Sequence, residues 1–215
     1  VVDIFDEVEE DLRAERAEKL LKKYGWLIIL VAVASVGAVA GWQLWNRWQY
    51  QRDAAAASRF VAAQSAIDQP VPGAAAPLET LDQLAASGPA GYRTLARLRA
   101  AGLKADAGDM SGAIALWNEV AADGSADSLL RDLASLTAAT RQIDRGDPAQ
   151  LQARLEPLAV FGNPWSALAR EQLAILDLRL GKVDEAKTKL KALSTDFLAP
   201  SGLRARAAAV LAGLG

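Results

Sequence analysis

The chain has 215 residues, 24 Lys and Arg against 26 Asp and Glu, and neither cysteine nor histidine. That composition excludes disulfides, thiolate nucleophiles, Cys-type zinc sites, imidazole ligands and every Ser-His-Asp or Cys-His arrangement. Residues 53–215 carry 17 Lys and Arg against 18 Asp and Glu, a balance that argues against nucleic acid, which needs a net basic face.

Residues 1–23 read as a charged cytoplasmic helix. Asp3 is a candidate cap, and Ile4, Val8 and Leu12 form a narrow apolar stripe. The charge is acidic from Asp3 to Asp11 and mostly basic from Arg13 to Lys23. Two readings stay open here: a solvated lead-in with an electrostatic anchor, or a docking helix for a partner.

Residues 24–46, YGWLIILVAVASVGAVAGWQLWN, contain no charge over 23 positions. A bilayer core needs about 20 apolar helical residues, so this segment predicts one transmembrane helix. Lys22, Lys23, Tyr24 and Trp26 at one end, and Trp42, Trp45 and Trp48 at the other, are the expected interfacial anchors. Five basic residues (Arg13, Arg16, Lys19, Lys22, Lys23) precede the span and three (Arg47, Arg52, Arg59) follow closely. Basic residues favour the cytoplasm and acidic ones count little, so the amino terminus is expected there and the larger part outside. Ala38-Val39-Ala40 has the spacing of a signal-peptide cleavage site, but the long acidic region before the span favours a retained anchor. The first residue is Val, and the native start is expected upstream. Gly37 and Gly41 form a GxxxG with Ala34 a turn earlier. This small-residue face would let another membrane helix approach, or it is idle.

Residues 47–76 are read as a stalk helix and loop. No proline occurs between Trp48 and Pro70, so the span is expected to continue through Ala54 to Ile67. Gln69–Pro77 (QPVPGAAAP) is the clearest loop.

Residues 77–215 alternate helical stretches with turn signals. Helices are predicted over Pro77–Ala86, Ala90–Ala107, Ser111–Ala122, Ala126–Asp144, Pro148–Val160, Pro164–Leu180, Val183–Asp196 and Ser201–Leu214. No strand alternation competes, and the expected class is all-α. The turn glycines Gly108, Gly146 and Gly181 lie 38 and 35 residues apart. Seven residues before each stands Ala101, Ala139 or Ala174; five after, Ala113, Leu151 or Ala186; nine after, Trp117, Leu155 or Leu190. A period near 34 with this small-Gly-small-large order is the sign of tetratricopeptide-type helix hairpins stacked as a solenoid. Generic stacked helical hairpins remain an alternative, since the aromatic positions early in each first helix are unmet. Trp117 and Trp165 are expected in core or inter-repeat packing, and Lys182, Lys187, Lys189 and Lys191 on a solvated face.

A lead-in ending Lys22-Lys23-Tyr24-Gly25, one span closing with Gly41-Trp42 and Trp45, an Ala/Ser helix including Ser58, and degenerate repeats follow in order. Together they resemble the ancillary SecYEG translocon subunit (YfgM-like) family of Gram-negative inner membranes. The resemblance implies a periplasmic domain that binds the translocon and periplasmic chaperones, and it brings no catalytic residues. The residues themselves offer no catalytic motif, cofactor loop or metal set. The chain is therefore read as a non-enzymatic, single-span scaffold in the bilayer. Its expected partners are other membrane proteins, with the translocon implied, and periplasmic or exported polypeptides. A stoichiometric accessory subunit of a respiratory or energy-converting complex is the second reading.

Overall fold

The computed structural model describes residues 4–69 and 76–215, with side chains from Lys22 onward apart from Ile28. The Asp3 cap, the side-chain stripe of Ile4, Val8 and Leu12, and most of the Gln69–Pro77 loop lie outside the described residues. The helices run α1 (Ile4–Asp68), α2 (Pro77–Ser87), α3 (Ala90–Asp106), α4 (Met110–Ala122), α5 (Ser128–Gln142), α6 (Pro148–Leu155), α7 (Ser166–Arg179), α8 (Val183–Ser194) and α9 (Ser201–Gly213). A 3-10 turn, Glu156–Leu158, follows α6. No strand occurs among the described residues, and the chain is all-α.

Two compact units divide the chain, residues 1–54 and 55–215. In the first unit, α1 meets no proline, so nothing removes a ladder donor. Its apolar window is long enough to cross a membrane, and none of that window is buried.

The second unit is a stack of helical hairpins. Ala56, Phe60, Ala63 and Ile67 recur at helical spacing and pack with Leu81, Leu84, Ala96 and Ala100 from α2 and α3. Further along, Ala101, Ala139 and Ala174 are fully enclosed, as are Ala113 and Ala186. Leu151, Trp117, Leu155 and Leu190 are buried beside them. A methyl side chain at these positions lets the two helices of a hairpin cross closely, and the large residue fills the space beyond.

No hairpin closes its own core. Ala101, Ala113 and Trp117 of α3 and α4 are completed by Ala134 and Ala138 of α5. Ala139, Leu151 and Leu155 are completed by Ala169 and Leu173 of α7. Ala174, Leu190 and Leu193 are completed by Leu203 and Ala207 of α9, which takes the place of a next repeat. Stability therefore runs from neighbour to neighbour, as in other repeat arrays.

Three helices fall short of the predicted spans by three residues or more. α5 starts at Ser128 because the Asp127 carboxylate accepts from the Leu129 amide at 2.8 Å and caps the helix there. α6 ends at Leu155, where Pro157 has no amide hydrogen to continue the ladder and the chain tightens into the 3-10 turn. α7 starts at Ser166 because Asn163 Oδ1 accepts from the Trp165 amide at 2.8 Å, holding that dipeptide in a turn.

Candidate functional site

In the first unit the aromatic side chains stand outward at the two ends of the apolar stretch. Tyr24 and Trp26 are exposed at one end; Trp42, Trp45 and Trp48 are exposed at the other. Trp45 and Trp48 are one turn apart, with ring centroids 5.5 Å apart. The Arg52 guanidinium lies 4.7 Å from the Trp48 ring and the Lys23 ammonium 5.4 Å from the Tyr24 ring. Lys22 is exposed beside them. A cation beside an amphipathic ring suits the boundary between headgroups and acyl chains. Ala34, Gly37 and Gly41 lie exposed on the intervening helix, and a Cβ added to either glycine would meet nothing within 4 Å.

The three turn glycines do not converge on one site; each sits at its own hairpin. Gly108 and Gly181 have φ of 86° and 75°, the left-handed region that only glycine enters without strain. Gly146 is different. Its φ is not positive, and a Cβ there would sit 3.0 Å from the Gln142 carbonyl oxygen and 3.1 Å from Leu151 Cδ1. Close packing, rather than handedness, selects glycine at that turn.

The same glycine register organises charges. Eleven residues before Gly108 and Gly181 stand Arg97 and Arg170; fifteen after stand Asp123 and Asp196. Arg97 Nη1 donates to Asp123 Oδ2 at 3.1 Å, and Arg170 Nη2 donates to Asp196 Oδ2 at 2.6 Å. Each pair clasps the first helix of a hairpin to the end of its second. Arg93 Nη2 joins the first clasp, donating to Ser125 Oγ at 2.9 Å and to Asp123 at 3.4 Å. In the middle hairpin the two positions hold Ser135 and Phe161, so the clasp is absent. Hydrophobic patterning passes over these charges, yet aligning the turn glycines finds them.

Ser125 is the main reason the Asp123 carboxyl is lowered to about 2: its hydroxyl and amide both donate to Oδ1, with Arg93 adding to the effect. Asp196 is lowered by the Arg170 hydrogen bond first and the Leu198 amide second. Asp109, capping α4 through the Gly112 amide, is lowered by that bond.

A second set of polar contacts joins positions one repeat apart. Arg154 Nη1 donates to Asn118 Oδ1 at 2.7 Å, and Trp165 Nε1 donates to the Leu129 carbonyl at 3.1 Å, both across 36 residues. Arg179 donates to the Ile143 and Gly146 carbonyls, each at 2.7 Å, and so ties the middle turn to α7. Trp117 is buried in the core and Trp165 bridges repeats. Among the lysines, Lys189 pairs with the Asp177 carboxylate and Lys187 reaches the Gly215 carbonyl at 3.2 Å.

Among the described residues of this unit, two clefts bear on binding. One, about 470 Å³, lies between the loop after α6 and the loop after α8. Phe161 and Leu198 border it and the Arg170–Asp196 clasp lines it. Phe161 and Phe197 are 91% and 90% exposed, so their rings stand free of the core that their size would normally join. The other, about 400 Å³ and more polar, is lined by residues of α4, α5 and α6 with the following turn. Among the residues lining the two clefts, no hydrogen bond joins a nucleophile to a base.

Residues 19–134, more than half of the chain, match the family model described as a tetratricopeptide repeat-like domain. No curated protein and no solved structure matches the chain.

Proposed function

As the chain belongs to the tetratricopeptide repeat-like domain family, we propose that it is a non-enzymatic, membrane-anchored scaffold whose repeat domain binds protein segments. The observation that carries this reading is the presence in one chain of a bilayer-length apolar helix and a stack of repeat-like helical hairpins. The basic bias before the span favours a cytoplasmic amino terminus and a repeat domain on the periplasmic side of a bacterial inner membrane. Resemblance of the lead-in, span and first helix to ancillary SecYEG translocon subunits supports a place beside that translocon, receiving exported chains or periplasmic chaperones. Ala34, Gly37 and Gly41 would then face another membrane helix.

The exposed loop residues Val160, Phe161, Phe197 and Leu198 favour one alternative, a permanent subunit whose repeats cover a neighbour's surface. Single-cysteine chains separate the possibilities cleanly, because no native thiol competes. In spheroplasts, an impermeant maleimide is expected to label Ala205→Cys and spare Asp6→Cys; the opposite pattern overturns the orientation. After mild detergent extraction the scaffold is expected with substoichiometric partners. One partner at fixed equimolar ratio would establish the permanent-subunit reading instead.

A further inference from the structure

Arg93 and Arg131 occupy the same place in successive repeats, fifteen residues before Gly108 and Gly146. In both, the guanidinium Nε is enclosed and has no hydrogen-bond partner. Their outer nitrogens differ. Arg93 donates to Asp123 and Ser125, whereas no described residue makes a hydrogen bond or ion pair with the Arg131 guanidinium. The missing partner has a cause in the sequence. The register position that holds Asp123 and Asp196 in the outer repeats holds Phe161 in the middle one, and Pro157 ends α6 early.

Arg131 instead borders the polar groove of about 400 Å³, together with Asp132, Ser135, Arg154, Pro157 and Leu158. The other charges there are engaged elsewhere. Arg154 Nη1 donates to Asn118, and Asp132 Oδ2 accepts from Asn163 Nδ2 at 2.8 Å. A half-buried guanidinium without a counter-ion is costly, and its planar fork matches a carboxylate bidentately. Pro157 and Leu158 supply an apolar wall for a neighbouring residue.

We propose that the middle repeat takes from a partner the carboxylate that its neighbours hold within the chain: Arg131 and its groove bind an Asp or Glu side chain of a protein segment laid along α5 and α6. This site rests on the protein-binding reading and gives it a location and a ligand chemistry.

The test follows the Arg131 Nε–Hε NMR signal of the full chain in neutral detergent. The probes are acetyl-Ala-Leu-Asp-Ala-amide, its Asn counterpart, and acetate alone. The Asp peptide is expected to shift the signal saturably, at least tenfold more tightly than the Asn peptide. Ser135→Asp, one helical turn from Arg131 on the same groove, places a carboxylate beside it and is expected to weaken the Asp peptide tenfold or more. Arg131→Gln is expected to abolish the peptide response at the Leu158 methyls. Equal shifts by the two peptides would overturn the proposal. So would an acetate response equal to that of the Asp peptide, which means an adventitious ion only, or a response to phosphatidylglycerol micelles in place of peptide. If photo-probes elsewhere on the repeats capture proteins while Arg131 stays silent, this site falls and the protein-binding reading stands; if no probe captures any, that reading falls as well.

Discussion

Arg206 holds Glu171 through two parallel hydrogen bonds, Nε to Oε1 and Nη2 to Oε2, both 2.9 Å and both spanning 35 residues of sequence. Glu171 is buried on α7, and α9 brings the guanidinium to it. The hydrogen bond and charge of Glu171 raise the Arg206 pKa further. Arg99 to Gln64, also 35 residues apart, and Arg154 to Asn118, 36 apart, repeat this span nearer the amino terminus. The repeat length is thus written in polar contacts as well as in the apolar core.

Removing Arg206 leaves the Glu171 carboxylate enclosed without its counter-ion. The Arg206 side chain is 58% exposed, so solvent screening moderates the loss. Arg206→Ala is expected to destabilise the repeat unit by about 1–2 kcal/mol, and Arg206→Lys to recover less than half because an ammonium cannot grip both oxygens. Urea unfolding of the full chain in detergent, followed by helical circular dichroism, reads both; an unchanged midpoint for Arg206→Ala would contradict the assignment.

Acid sensitivity follows from the lowered carboxyls. The Asp123 carboxyl titrates at about 2 in the folded chain against an ordinary value of 3.8. A lowered folded pKa gives stability that is fully present above 3.8 and is lost as the pH falls toward 2. Asp196 and Asp109 act in the same direction. Between pH 4 and pH 2 the melting temperature of the parent chain is expected to fall more steeply than that of Asp123→Asn. Parallel slopes would show that the carboxylate is not specially stabilised.

The turn glycines are expected to answer differently to substitution. Gly108→Ala forces a Cβ into left-handed backbone, at about 1–2 kcal/mol, and Gly108→Asn costs less because Asn tolerates that region. At Gly146 the order reverses: Ala must displace Leu151 Cδ1 or the Gln142 carbonyl, and Asn, being larger, costs more than Ala. Thermal unfolding of the four variants tests the distinction, and the same order at both sites would contradict it.

The two tryptophans separate core from seam. Trp117 is 5% exposed, and Trp117→Ala is expected to cost about 3–5 kcal/mol through the cavity left among Ala101, Val120 and Ala138. Trp165→Phe keeps most of the ring but loses the bond to the Leu129 carbonyl, at about 0.5–1.5 kcal/mol. Comparing unfolding midpoints of both variants with the parent checks the ranking.

Much of this architecture is legible in the sequence. Proline and glycine punctuation places the helices of residues 77–215, because each signal acts locally on the backbone. The positions aligned on Gly108, Gly146 and Gly181 are buried because the hairpin crossing needs a small residue at a fixed offset. What stays hidden depends on tertiary placement. Pro157 turns the chain out of α6 where the outer hairpins continue to their clasps, a difference visible only beside those hairpins. Ser135 and Phe161 are unremarkable alone; their meaning comes from Arg97, Arg170, Asp123 and Asp196 at equivalent places. Exposure of Phe161 and Phe197 likewise runs against what their hydrophobicity suggests, so the turn signals place those loops but give no hint of their free rings.

Photo-crosslinking in intact membranes tests the scaffold reading most directly. Benzoylphenylalanine would replace Val33 and Trp45 in the span and Phe161 and Arg141 on the repeats, with adducts identified by mass spectrometry. The account predicts translocon subunits on the span probes and many different exported or periplasmic proteins on the repeat probes. A single neighbour, captured at full occupancy from both regions, would contradict it and make the protein a fixed subunit of one complex.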